Sequence, residues 1–257
     1  VKNIVLAAAA LAAALSPASA ETRQFKADGV KTIRVETESG AVEARAGEKL
    51  EVEVLNNDKP ELCDLTLETD GGALVLKAKS RSRGLAGLFG GGDECPAGFR
   101  VTAPAALALE AASGSGAIVV SARRGAVSAR AGSGDIRLDG VAGAVETRTG
   151  SGSVSGAILG RLSARSGSGS IELAGLGADA DVRTGSGDVK LSWSTSPEGR
   201  IDVKTGSGTV TLSFPKGTRL RADQLSGSGR RENRLGGSAD AKLDVSVVTG
   251  SGDSTIE

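Results

Sequence analysis

From Asp135 to Gly150 the chain reads DIRLDGVAGAVETRTG. Ile136 and Leu138 are set between Asp135, Arg137 and Asp139. After a break at Gly140 to Gly143, Val145, Thr147 and Thr149 alternate with Glu146 and Arg148. A period of two with one apolar side predicts two short, half-buried strands. The pattern recurs as Ile171/Leu173 then Val182/Thr184, and as Val189/Leu191/Trp193 then Ile201/Val203/Thr205. It returns as Val210/Leu212/Phe214 then Leu220/Ala222, and finally as Leu243/Val245/Val247/Thr249. No window holds the three-four spacing of an amphipathic helix.

Each pair of strands ends at the same tripeptide. Gly-Ser-Gly begins at Gly114, Gly132, Gly150, Gly167, Gly185, Gly206, Gly227 and Gly250, at intervals of 18, 18, 17, 18, 21, 21 and 23 residues. A second break falls midway, at Gly125, Gly143, Gly160, Gly177, Gly199, Gly217 and Gly237. Self-similarity at a fixed period signals a solenoid. The expected fold is all-β: a parallel β-helix, or β-solenoid, with rungs of 18–23 residues and Gly-Ser-Gly corners. Inward positions mix Val, Leu and Ile with Ala, Thr and Ser, so the interior is narrow. Glycine suits a corner that needs positive φ or close stacking, and the central serine is expected to hydrogen-bond its copies above and below.

Other uses of the tripeptide fit less well. A flexible linker lacks patterned strands. A phosphate loop needs a following lysine and helix, and a nucleophile elbow needs G-x-S-x-G. Calcium-binding β-rolls need a regular aspartate column, whereas only Asp135, Asp188 and Asp253 follow a corner here.

The N-terminal part echoes the repeat. Ala41 to Gly47 (AVEARAG) resembles Ala126 to Gly132 (AVSARAG), and Val101 to Gly116 parallels Leu212 to Gly229. Between them Arg81 to Gly98 is glycine-rich and holds Leu85, Leu88 and Phe89. It is expected to be a surface loop tied by a Cys63–Cys95 disulfide, since an even pair without CxxC spacing reads as structural in an exported chain. Trp193 and Phe214 are expected to widen or cover one end. The organisation expected is a leader at 1–20, an N-terminal β region or cap at 21–100, and repeats at 101–257. Lys2, the apolar run from Ile4 to Leu15 and the small-residue pattern ending at Ala20 give the leader its secretory character. That run is too short to span a bilayer. Export follows, with periplasm, cell surface and medium left open.

Composition narrows the role. Thirty-one basic and 31 acidic residues balance, and there are one Trp, four Phe and no Tyr. Neither global steering to nucleic acid nor a base-stacking platform follows. The chain has no histidine, which removes the commonest general base and most zinc sites. No catalytic residue, metal or cofactor is implied.

The recurring T-G-S-G-[DST]-[VI] corners and the stretch FPKGTRLRAD at Phe214 to Asp223 resemble a bacterial adhesin β-strand-repeat family of unknown function, related to the head domain of GIN-type adhesins. The resemblance covers Val30 to Glu257. It implies a right-handed β-helix in an exported cell-envelope protein and brings no catalytic residues.

One outward column stands out. Arg130, Arg148, Arg165, Arg183 and Lys204 occupy the same place on five successive rungs, with Arg45 in the earlier echo. Stacked like charges repel. Glu146, Asp181 and Asp202 lie one outward column away, while Ser128 and Ser163 leave two rungs without an acid. The column is either a solvated face that discourages aggregation or an anion-binding strip for acidic polysaccharide or lipopolysaccharide phosphates. The leading expectation is a non-enzymatic surface-presenting protein. Self-association into an envelope scaffold is the first alternative, and a carbohydrate-active β-helix enzyme is the second.

Overall fold

The computed structural model describes residues 22–81, 94–177 and 179–257. The expected leader, and Leu85, Leu88 and Phe89 of the expected loop, lie outside the described residues.

Alternation of inward and outward side chains produces strands throughout: β1 Thr22–Phe25, β2 Thr32–Thr37, β3 Val42–Ala46, β4 Leu50–Leu55, β5 Cys63–Asp70, β6 Ala73–Ser80, β7 Gly98–Ala103 and β8 Ala108–Ser113. The regular series follows as β9 Ile118–Ser121, β10 Val127–Ala131, β11 Ile136–Val141, β12 Val145–Thr149, β13 Val154–Ile158, β14 Leu162–Ser166, β15 Ile171–Leu176 and β16 Ala180–Thr184. The chain finishes with β17 Val189–Trp193, β18 Gly199–Ser207, β19 Val210–Ser213, β20 Leu220–Ser228, β21 Arg231–Asn233, β22 Leu243–Ser251 and β23 Ser254–Ile256.

These strands form two sheets. Sheet I runs β1-β4-β7-β3-β9-β11-β13-β15-β17-β19-β23-β21, and sheet II runs β5-β6-β2-β8-β10-β12-β14-β16-β18-β22-β20. From β8 onward a rung is one strand of sheet II, a Gly-Ser-Gly corner, and one strand of sheet I. Successive rungs pair in parallel. The protein is thus an all-β, β-solenoid-like stack with a single hydrophobic core between its sheets, reaching from Val30 to Ile256. Rungs about 4.8 Å apart bury one another's inward residues. Small side chains such as Ala129, Ala164 and Thr147 are fully buried opposite the larger Ile136, Leu138 and Ile171. They keep the interior thin.

Both ends depart from chain order. The rung of β2 and β3 sits between that of β6 and β7 and that of β8 and β9. The rung of β22 and β23 sits between that of β18 and β19 and that of β20 and β21. The corner at Gly250 therefore rests on Gly206, and Gly227 rests on Gly250. Beyond the parallel stack the first end turns antiparallel, through β1 with β4, β4 with β7 and β5 with β6. The echo at Ala41 to Gly47 misleads, because β3 belongs to sheet I and its apparent counterpart β10 belongs to sheet II. Arg45 lies opposite Thr102 and Ser121, away from the basic column.

Cys63 and Cys95 form the disulfide, with a Cα–Cα distance of 5.0 Å, and both are buried. Such bridges persist in oxidising compartments. Trp193 and Phe214 stack with ring centroids 4.6 Å apart. Among the described residues no helix is long and apolar enough to cross a membrane.

Candidate polyanion-binding face

The corners hold the rungs in register, and the structure shows how. A Cβ at Gly132, Gly150, Gly167 or Gly185 would collide with the carbonyl oxygen of the glycine one rung before. None of these four has a positive φ. Close approach of backbone to backbone therefore demands glycine here, whereas positive φ demands it at the bulges of Gly140 and Gly175.

The central serines take a different part from the one expected. Ser133, Ser151 and Ser168 are exposed, and it is their backbone N–H groups that donate to Gly114, Gly132 and Gly150 of the preceding rung. The hydroxyl ladder belongs to the inward residue just before each corner. Thr149, Ser166 and Thr184 accept from the N–H of Gly152, Gly169 and Gly187. They donate to the carbonyls of Gly134, Gly152 and Gly169 one rung away. The outward serine cannot reach those buried groups. Asp135, Asp188 and Asp253 each accept an N–H from the adjoining rung, from Ser153, Thr209 and Arg230. They serve the backbone. Among the described residues no group of three or more His, Cys, Asp or Glu could hold a metal ion.

On this frame sheet II carries the basic column. Arg130, Arg148, Arg165, Arg183 and Lys204 are direct cross-strand neighbours on β10, β12, β14, β16 and β18. The column continues as Val248 on β22 and Leu225 on β20, the latter 53% exposed. The parallel register places the cations about 4.8 Å apart along the stack.

Charge compensation crosses rungs. Glu146 Oε1 lies 3.0 Å from Arg148 and 3.6 Å from Arg130. Asp181 lies 3.2 Å from Arg183 and 3.9 Å from Arg165. The two rungs with serine in the acid column thus share the acid of the next rung. Asp202 is taken by Arg200 at 2.6 Å, and that partnership raises the Arg200 pKa. Lys204 makes no salt bridge among the described residues. The column therefore keeps a net excess of cations, with the four arginine side chains between 42% and 52% exposed. Beside it Ala126, Ala144, Ser128 and Ser163, together with the carboxylates Glu110 and Glu146, line a shallow trough of about 360 Å³ that ends at Arg161. Extended and open, the trough suits a chain-like ligand better than a small enclosed one.

Arg123 went unnoticed in the sequence. It is 1% exposed and is the largest fully buried side chain. Its guanidinium donates to the Ala103 carbonyl at 3.0 Å and the Leu107 carbonyl at 2.7 Å, and burial lowers its pKa. The Ala103 carbonyl also accepts from the Gly47 N–H, whereas the Leu107 carbonyl, in the irregular stretch after Pro104, meets no backbone donor among the described residues, and only that irregularity hinted at a need for a donor.

A family profile described as Toastrack DUF4097 matches residues 30–257. The chain belongs to the Toastrack DUF4097 family. No curated protein matches it. Among solved structures, a "putative adhesin" from Bacteroides fragilis is 13% identical, with 93% of this chain and 97% of that one covered at a TM-score of 0.52. A "putative lipid binding protein" from Parabacteroides distasonis is 14% identical, covering 94% and 98% at a TM-score of 0.50. Identities this low speak to the fold. In this Toastrack chain the two sheets of the rack are joined at the glycine corners, and sheet II carries the cations.

Proposed function

We propose that the protein is a non-enzymatic, adhesin-like binding protein of the cell envelope whose basic column holds acidic carbohydrate polymers. The ligand chemistry is a repeated carboxylate, sulfate or phosphate on a glycan, as in acidic polysaccharide or lipopolysaccharide. The observation that carries this reading is the unbroken register of five cations over five rungs, which outnumber the carboxylates among them. A ligand with one anion would use one rung. A polymer can engage successive rungs, and arginine forks match its anionic groups. The names given to the structural neighbours, adhesin and lipid binding protein, both fit a surface-binding role for this fold.

Reversing Arg148, Arg165 and Arg183 together to Glu tests it. The triple variant is expected to elute from a heparin column well before the unaltered protein. Retention at unchanged salt would show that the column is surface charge alone. An array of acidic glycans and lipopolysaccharides at two salt concentrations then separates the two ligand sources.

A further inference from the structure

The five cations of the basic column are not equivalent. They fall into two sets that alternate along the stack. Arg148 lies 3.0 Å from Glu146, and Arg183 lies 3.2 Å from Asp181, each within its own rung. Arg183 also donates to the second carboxylate oxygen of Asp181 at 3.4 Å. Arg130 and Arg165 reach those same acids only from the neighbouring rung, at 3.6 and 3.9 Å. Lys204 has Asp202 in its own rung, but Arg200 takes both oxygens of that carboxylate, at 2.6 and 3.2 Å. Lys204 is left without a salt bridge among the described residues.

The loosely held cations therefore stand on β10, β14 and β18, and the closely held ones on β12 and β16 between them. The cause lies in the acid column, which reads Ser128, Glu146, Ser163, Asp181. A carboxylate falls on every second rung, and Arg200 cancels Asp202 where that alternation would break. With rungs about 4.8 Å apart, the loosely held cations repeat at about 9.6 Å. The other side of the column is bare. Two residues beyond each cation comes an exposed corner glycine: Gly132, Gly150, Gly167, Gly185 and Gly206. A row without side chains lets a ligand approach the backbone closely. An anionic polymer laid over that row has the cations beside it and the protein's own carboxylates beyond them.

We infer that the column selects glycans that present one anion per disaccharide, an inference that rests on the polyanion-binding role proposed above. In an extended pyranose chain each sugar advances by about one rung spacing, so a disaccharide spans about two rungs. Arg130, Arg165 and Lys204 each receive one anion. The sugars between them lie opposite Arg148 and Arg183, whose charge Glu146 and Asp181 already meet. An anion on those sugars gains little. It has to share the guanidinium with a carboxylate that stays attached beside it and repels it. Three contacts in register reinforce one another, because each holds the next anion close to its own cation.

Two double variants of equal net charge test the spacing. Arg130→Gln with Glu146→Gln leaves Arg148, Arg165 and Lys204 as the loosely held cations, separated by one rung and then two. Arg148→Gln with Glu146→Gln leaves Arg130, Arg165 and Lys204, two rungs apart throughout. Hyaluronan, with one carboxylate per disaccharide, is expected to bind the first variant about tenfold more weakly than the second. The slope of log affinity against log salt reports the number of ion contacts. For the unaltered protein that slope is expected to be the same on hyaluronan as on polygalacturonate of equal length, which carries a carboxylate on every sugar. Equal affinity of the two variants for hyaluronan, or a steeper slope on polygalacturonate, would overturn the inference and leave the polyanion-binding role standing. Failure of the unaltered protein to bind either polymer would overturn both.

Discussion

Arg130 reaches Glu146, 3.6 Å away on the neighbouring rung, because its own rung offers Ser128 in the acid column. The same carboxylate holds Arg148 at 3.0 Å. Glu146 and Asp181 therefore act as internal competitors for any polyanion. Neutralising them, by Glu146→Gln with Asp181→Asn, is expected to move elution from heparin to higher salt, opposite in direction to the arginine reversals. The folded fraction by circular dichroism should not change, since exposed ion pairs contribute at most about 1 kcal/mol.

The corner glycines divide by what lies beneath them. A methyl at Gly169 would strike the Gly152 carbonyl, whereas a methyl at Gly237 meets nothing within 4 Å. Gly169→Ala is expected to destabilise by about 1–3 kcal/mol, as other forced overpacking does. Gly237→Ala should stay within about 0.5 kcal/mol. Thermal melts of the two variants, side by side, check the contrast.

Arg123 donates to the Ala103 carbonyl, which the Gly47 N–H also serves, and to the Leu107 carbonyl, which no backbone N–H serves among the described residues. Arg123→Met keeps much of the volume and removes the donors, leaving the part-buried Leu107 carbonyl orphaned at about 1–3 kcal/mol. Arg123→Lys is expected to recover only part, because one ammonium lacks the fork that spans both carbonyls. Denaturant titration of both variants gives the two values.

The Cys63–Cys95 bridge closes a loop with a sequence separation of 32. Reduction is expected to cost about 3–4 kcal/mol on the chain-entropy account. In a stack of neighbour-dependent rungs the loss should be local. Hydrogen exchange after reduction should quicken in β5, β6 and β7 and leave β12 to β16 as they were.

Acid should also weaken the other end. Arg234 lowers the pKa of Glu232, Ser238 and Arg219 lower that of Asp240, and Arg221 lowers that of Asp244. Depressed folded values mean that this stabilisation is whole above the unfolded carboxylate range near pH 4. It is lost as pH falls through the folded values. Carboxyl carbon shifts followed by NMR should show these three groups titrating below the ordinary carboxylates. Protection of β20 and β21 should fall in the same interval.

Much of the rack was legible because period-two alternation and a glycine corner are local signals. Ile136, Leu138 and Val145 announce their inward side without reference to distant sequence. The order of rungs at the ends was not legible. Nothing within β22 says that it pairs with β18 across 44 residues of chain, since every inward strand of this kind looks alike. The same sameness made Ala41 to Gly47 resemble β10 although it lies in the other sheet. The register of the basic column could be counted from the corners, but the sharing of Glu146 and Asp181 depends on side-chain reach between rungs. Arg123 was hidden because its use is set by a gap in the ladder, not by a pattern of its own.

The inserted rung of β22 and β23 constrains how the molecule can be assembled. A coil whose turns dock in the order of synthesis can close vectorially, each turn templated by the one before. Here the segment from Leu220 to Asn233 has no permanent seat until a later segment has entered beneath it. This later turn is a keystone: until it arrives, β18 and β19 are a temporary edge, and the rung of β20 and β21 must wait for the chain to double back.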